Sequence, residues 1–182
     1  MGNTDRKKGS GRCRAYPAVL YLLFLAVVFP SCQRQTVLNS VLMESTSAVE
    51  QNDSEIFRIT HEARAGLPIF FRHMARPENG ESDFSIKYPF KTDPGSGIGT
   101  EQIWLTGIRF RNGKYYGTLA NSPMYIRRMK KGDTVEFLVD EITDWMYIRE
   151  GKITGGLSIK YLLEQIPENR RSDGQKKLLQ MF

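Results

Sequence analysis

Three carboxylates and an indole lie close together in the second half of the chain, at Asp140, Glu141, Asp144 and Trp145. Two carboxylates that face each other across a substrate can supply the acid and the base of a hydrolysis. Asp140, Glu141 and Asp144 are therefore candidate acid–base residues of a hydrolase or transferase. In the simpler interpretation, Asp144 accepts a backbone N–H at a turn and Trp145 fills the core. Neighbouring strand residues point to opposite faces, so these two are not expected to line one pocket.

Aromatic residues could give a small sheet a binding face. Five of them are Trp104, Tyr115, Tyr116, Tyr125 and Tyr147. Such a face can hold an extended peptide or a glycan, although aromatic side chains at strand spacing more often fill a core. The candidate binding surface that the sequence indicates consists of Trp104, Asn121, Asp144 and Trp145.

The histidine and cysteine content argues against metal and thiol chemistry. His61 and His73 are the only histidines, Cys13 and Cys32 the only cysteines, and no HExxH pattern occurs, so no metal site is expected. There is no GxSxG nucleophile elbow. The glycine-rich stretch 93–100 lacks the lysine of a phosphate-binding loop and is interpreted as a strand connection. The sequence predicts neither a metal nor a cofactor.

The formal charge of +6 overstates how basic the folded part is. Five of the 26 basic residues and one acidic residue precede Cys32, which leaves 21 basic against 19 acidic residues after it. A nucleic-acid partner is therefore not expected. A local basic run remains, and it could meet anionic headgroups or an acidic partner, although such runs are usually solvated; it consists of Arg127, Arg128, Lys130 and Lys131.

The first 32 residues have the layout of a secretory leader. A polar and basic stretch, 2–15, precedes an apolar run at 16–29, and Pro30, Ser31 and Cys32 follow. The apolar run is shorter than the roughly 20 residues that a membrane-spanning helix needs. Ser31 and Cys32 resemble the lipobox of bacterial lipoproteins, although Phe29 and Pro30 depart from its usual pattern. That resemblance implies a diacylglyceryl group, and further acyl chains such as palmitate, on Cys32.

The elements that must position these residues follow the leader. A polar tether is expected at 33–54 and one α+β domain at 55–167. Apolar residues at helical spacing from Ile56 to Met74, interrupted by Gly66 and Pro68, predict a helix or a kinked helix pair. Strand signals lie in six segments, at 84–88, 103–110, 114–119, 134–139, 145–149 and 152–154. From them we expect a small, strongly bent antiparallel sheet or an SH3-like barrel of about five strands.

Turn and cap signals indicate where several of these elements begin and end. Asn112-Gly113 predicts a tight hairpin and Glu150-Gly151 a second turn. Ser158 is expected to cap a short helix at 159–166 that Pro167 ends. The remaining residues, 168–182, are expected to form a polar, basic and mobile tail.

Several of these segments together resemble a known family. They are EQIW at 101–104, GTLANSP at 117–123, GDTV at 132–135, ITDWM at 142–146 and the stretch 151–158 with Gly155-Gly156. Their order and spacing are similar to the YegJ-like family of uncharacterised bacterial proteins, domain of unknown function 2314, over roughly 56–166. The resemblance implies a compact α+β domain, alone or on a lipoprotein leader, and no known activity. Gln102 stands where a histidine is expected, so any role of that histidine does not transfer.

Taken together, the sequence favours a lipoprotein of the bacterial cell envelope, held on a membrane by Cys32 and exposed outside the cytoplasm. Its domain is interpreted as a non-enzymatic binding module for a protein, peptide or glycan. The rival hypothesis is a hydrolase or transferase that acts on an envelope polymer. Convergence of two carboxylates in a cleft would favour the enzyme, and carboxylates that each cap backbone would disfavour it.

Overall fold

In a computed structural model, residues 54–78 and 80–182 are described. The leader, Cys32 and the tether lie outside these residues. The described elements are α1 (Ser54–Ala75), β1 (Ser82–Lys91), β2 (Thr100–Arg111), β3 (Lys114–Leu119), β4 (Thr134–Phe137), β5 (Asp144–Arg149), β6 (Lys152–Gly155), α2 (Leu157–Gln165) and α3 (Asp173–Leu179). Two short 3-10 turns, Val139–Glu141 and Glu168–Arg170, complete the order.

The six strands form one antiparallel sheet in the order β4-β3-β2-β1-β5-β6. The α+β class and the bent antiparallel sheet are thus confirmed, with six strands in place of about five. The sheet does not close into a barrel, because β4 and β6 are its two edges. Register shifts in β1 between Ser82 and Ser85 and in β2 between Thr106 and Arg109 bend it.

Both predicted tight turns form as expected. Asn112 and Gly113 have φ values of 52° and 77°, and Glu150 and Gly151 have 51° and 79°. Positive φ at both central residues defines the turn that matches the right-handed twist of paired strands. The strand β3 has the predicted bounds, because the turn before it fixes where it begins.

Each face of the sheet covers its own apolar cluster. Alternation along β2 places Ile103 and Leu105 on the face that α1 covers, together with Leu67 and Phe70. Trp104, on the other face, joins the cluster formed with α2 and α3. Central strands of this sheet are therefore buried on both sides, which explains why some of their polar residues are buried too.

The expected break at Gly66 and Pro68 is not observed, because α1 continues through both residues as one helix. Gly66 has a different role. A Cβ atom at this position would lie 2.7 Å from Cζ2 of Trp145, so glycine allows α1 to approach β5 closely. Pro68 is exposed on the far side of the helix.

The C-terminal part differs from the prediction in two respects. The N-cap of α2 is Gly156, with φ of 66°, and Ser158 lies inside the helix with its side chain buried. The expected mobile tail instead forms α3. Ser172 and Gln175 make a reciprocal capping box at its start, and Leu178 is fully buried.

Candidate functional site

Three neighbouring strands bring a tryptophan, a lysine and an aspartate into one row. Lys87 of β1 pairs with Trp104 of β2 on one side and with Asp144 of β5 on the other. All three point to the face covered by α2, where Ser158 meets them. We call these four residues the buried polar cluster, because none is more than 5% exposed.

Ser158 connects the two opposite charges of this cluster. Its hydroxyl accepts a hydrogen bond from Nζ of Lys87 at 3.1 Å and donates one to Oδ2 of Asp144 at 2.7 Å. The backbone N–H of Ser158 donates to the same oxygen at 2.8 Å, and that of Trp145 donates to Oδ1 at 2.8 Å. Asp144 therefore holds the first turn of α2 against β5, where a carboxylate is favoured electrostatically.

Burial dominates the titration of both charged members. Burial raises the pKa of Asp144, while the hydrogen bonds from Ser158, the charge of Lys87 and the bond from Trp145 act in the opposite direction. Burial also has the largest effect on the pKa of Lys87, which it lowers, while the charge of Asp144 acts to raise it. Nζ of Lys87 also lies 5.9 Å from the centre of the Trp104 ring, within range of a cation–π contact.

The three candidate acid–base carboxylates have different surroundings. Glu141, exposed in the 3-10 turn, accepts a hydrogen bond from the hydroxyl of Tyr88. Burial together with this bond raises the pKa of Tyr88 to about 12. Asp140 is exposed beside it, whereas Asp144 is fully buried and bonded to backbone N–H groups. Of the three, only Asp144 caps backbone, and its burial prevents it from facing a substrate together with the exposed Asp140 and Glu141.

The four residues of the predicted binding surface are not brought together at the surface. Trp104, Asn121 and Asp144 are buried. Trp145 points to the other face, where its Nε1 donates to the carbonyl of Ala63 in α1 at 2.7 Å. Within the described residues, Nε1 of Trp104 and Oδ1 of Asn121 have no hydrogen-bond partner.

Gln102, at the position where a histidine was expected, makes a structural hydrogen bond with Thr143. Its Oε1 accepts a hydrogen bond from the hydroxyl of Thr143 at 2.8 Å, and that hydroxyl also bonds the carbonyl of Lys87. Gln102 thus braces the turn that precedes β5.

A second charged cluster was not foreseen from the sequence. The side chain of Glu81, which is fully buried, bonds Nε of Arg149 at 2.7 Å and pairs with His73 at 3.0 Å. Burial would raise the pKa of Glu81, but the backbone N–H of Glu78 and the side chains of Arg149 and His73 lower it overall. The cluster ties the end of α1 to β1 and β5. Little in the sequence indicated this cluster, because Arg149 lies far from His73 and Glu81 along the chain.

The end of the β2–β3 hairpin carries an exposed aromatic ring that other rings support. β2 pairs with β1 only as far as Leu105 but with β3 up to Arg111, so the hairpin extends past β1. Phe110, 63% exposed, lies 4.8 Å from the ring of Tyr115. Tyr115 in turn packs against Phe71 at 5.0 Å and Phe137 at 5.6 Å. We call Phe110 with these three supporting rings the hairpin tip.

Two further properties of the described part bear on partners. None of its helices combines the length and apolar character needed to cross a bilayer. Across residues 54–78 and 80–182, there is also no group of three or more histidine, cysteine, aspartate or glutamate side chains that could hold a metal ion.

The α+β domain and its motifs define the class of protein, and comparison with known proteins agrees. The DUF2314 family, described as uncharacterised proteins conserved in bacteria, matches residues 53–178. This chain therefore belongs to the DUF2314 family, and its likeness to the YegJ-like proteins is confirmed.

Two curated relatives carry this likeness. The uncharacterised protein YegJ of Escherichia coli K12 is 34% identical over 96 residues, which is 53% of this chain and 60% of that protein. A protein of Neisseria meningitidis serogroup B with the provisional name of ankyrin repeat protein is 32% identical over 129 residues, 69% of this chain and 51% of that protein. The chain thus spans little more than half the length of either relative. No solved structure matches it.

Proposed function

We propose that this chain is a lipoprotein of the bacterial envelope, attached to a membrane through Cys32, whose domain binds a protein, peptide or glycan at the hairpin tip. The observation that carries the binding role is the presentation of Phe110. Its ring is 63% exposed and rests on Tyr115, which two further rings support. An aromatic side chain held in place loses little conformational entropy on binding, and such residues often dominate binding energy.

The surroundings of the carboxylates support a binding module over the rival acid–base enzyme. Asp144 accepts the hydrogen bonds that anchor α2, and Glu141 accepts a hydrogen bond from Tyr88. A glycosidase that used these carboxylates would need two of them facing a substrate at a separation of roughly 5–9 Å. In this proposal, Asp144 therefore stabilises the fold and does not take part in a reaction.

Site-specific photo-crosslinking tests the binding role. A benzoylphenylalanine residue replaces Phe110 in the full chain, and the cells that express it are irradiated. Phe57 offers a matched control, because it is also an exposed phenylalanine, 77% accessible, but lies on α1 away from the hairpin. We expect a discrete crosslinked partner at position 110 and none at position 57. The same products at both positions, or no product at 110, would refute the hairpin tip as a binding site.

Metabolic labelling tests the membrane attachment. Growth with an alkyne analogue of palmitate should label the wild-type chain and the Cys13→Ala variant but not the Cys32→Ala variant. Cys13 is the suitable control, because it is the only other cysteine and lies within the basic part of the leader. Label that persists in Cys32→Ala would show that this cysteine is not the attachment point.

A further inference from the structure

The loop between β3 and β4 presents a dense group of cations at the end of the hairpin opposite its tip. Four exposed cations lie within five residues, and we call them the basic loop: Arg127, Arg128, Lys130 and Lys131. Within residues 54–78 and 80–182, only Arg127 among them has an ion-pair partner, Asp93, at 3.9 Å. Three of the four charges are thus available to an external anion.

The backbone of this loop is held in place by one buried carboxylate and one partly exposed carboxylate. Glu101, 3% exposed, accepts the N–H groups of Met124 at 2.7 Å and Tyr125 at 2.9 Å, one on each oxygen. Asp93 accepts the N–H of Arg127 at 2.9 Å, and its own N–H donates to the carbonyl of Tyr125. Because these bonds fix the backbone beneath the cationic side chains, less of the loop has to be ordered when it binds a ligand.

The same loop also exposes an apolar side chain. Met124 is 70% exposed beside these cations, although its backbone is fixed by Glu101. Cationic side chains together with an exposed apolar one suit a bilayer surface, where the charges meet headgroups and the apolar group enters the interface. A purely electrostatic contact with an acidic protein gives Met124 no role.

We propose that the basic loop is a membrane-docking surface that binds the headgroups of anionic phospholipids. This docking rests on one part of the proposed function, the attachment at Cys32, which would keep the domain beside the bilayer. The hairpin tip then lies at the far end of β3, a strand of six residues, about 20 Å long. A domain docked by its basic loop would present Phe110 away from the lipid.

Flotation with lipid vesicles tests this docking without requiring lipidation. The full chain carrying Cys32→Ala is mixed with vesicles of phosphatidylcholine alone or with vesicles in which about one lipid in three is phosphatidylglycerol. The readout is the ratio of the two partition coefficients of each variant relative to that of the parent chain, because the five leader cations contribute to this ratio equally in every variant. Arg128→Gln/Lys131→Gln should lower this ratio about 25-fold, at about fivefold per charge.

A charge-matched control separates docking from net charge. Lys160→Gln/Lys176→Gln removes two exposed cations from α2 and α3, and we expect it to change the ratio less than twofold. Equal losses in both double variants would overturn the proposal. So would polyglutamate that binds the chain more tightly than anionic vesicles with the same dependence on Arg128 and Lys131, because the occupant would then be an acidic polypeptide. Failure of palmitate labelling, by contrast, would affect only the attachment at Cys32.

Discussion

Ser158 is the side chain that connects the buried charges of Lys87 and Asp144. Lys87 donates to its hydroxyl, which donates to Asp144. Taking such charges out of water is unfavourable, and an interior pair is tolerated only when further hydrogen bonds compensate each member. For Asp144 this compensation comes from two backbone N–H groups. The cluster therefore fixes how α2 meets the sheet, and its charges depend on each other.

Removing one charge should leave the other uncompensated. We expect Asp144→Asn to lower the free energy of unfolding by about 3–5 kcal/mol, because Lys87 would stay buried without its counter-charge. Urea denaturation followed by tryptophan fluorescence measures this loss. A double-mutant cycle with Lys87→Met provides the control, since the double variant should be more stable than the two single losses predict. Additive losses would show that the two charges do not interact.

The contact between α1 and β5 depends on a residue without a side chain. Helix propensity alone predicts that Gly66→Ala stabilises α1 by about 1 kcal/mol. We expect the opposite sign, because the new methyl would lie 2.7 Å from the Trp145 ring, and overpacking of this kind costs about 1–3 kcal/mol.

Gly174 in α3 is the matched control for this change. A Cβ atom there would lie 3.9 Å from Oγ of Ser172, an ordinary contact, so Gly174→Ala should stabilise the protein slightly. Thermal unfolding of both variants measures the two signs. Stabilisation by Gly66→Ala would mean that α1 does not approach Trp145 as closely as described.

The Glu81 cluster predicts a dependence of stability on acid. Because the pKa of Glu81 is lowered in the folded state, the carboxylate stabilises the fold above its unfolded pKa, and this contribution is lost as the pH falls through the folded value. Unfolding at pH 7 and at about pH 3 should therefore show a larger loss for the wild type than for Glu81→Gln. An equal loss in both proteins would mean that the bonds to His73 and Arg149 do not affect stability.

Across the whole molecule, local signals in the sequence were more informative than long-range ones. Asn112-Gly113 located β3 to the residue, because a two-residue turn leaves little freedom in where strands begin. The order of the strands could not be read in the same way, since it depends on contacts between distant segments. The burial of Lys87, in the predicted strand 84–88, could not be read either, because it follows from the position of β1 between β2 and β5 with helices on both faces.

The candidate site shows the same division. The sequence correctly indicated that Asp144 caps backbone, because aspartate commonly accepts N–H groups at turns. Trp104 and Asn121 were placed in the candidate binding surface but are buried, and for Trp104 the more common role of a strand aromatic, filling a core, is the one observed. Phe110 was part of a predicted strand, but its exposure follows from how far the hairpin extends past β1.

The most direct test of the hairpin tip as a binding site is a titration with the partner that crosslinks at position 110. Isothermal calorimetry would compare the wild type with Phe110→Ala and with the control Phe57→Ala, which removes an even more exposed ring. We predict that Phe110→Ala weakens binding by at least about 2 kcal/mol, roughly 30-fold, whereas Phe57→Ala leaves the affinity within twofold. Equal affinities for the wild type and Phe110→Ala would contradict the proposal, because the partner would then bind elsewhere on the domain.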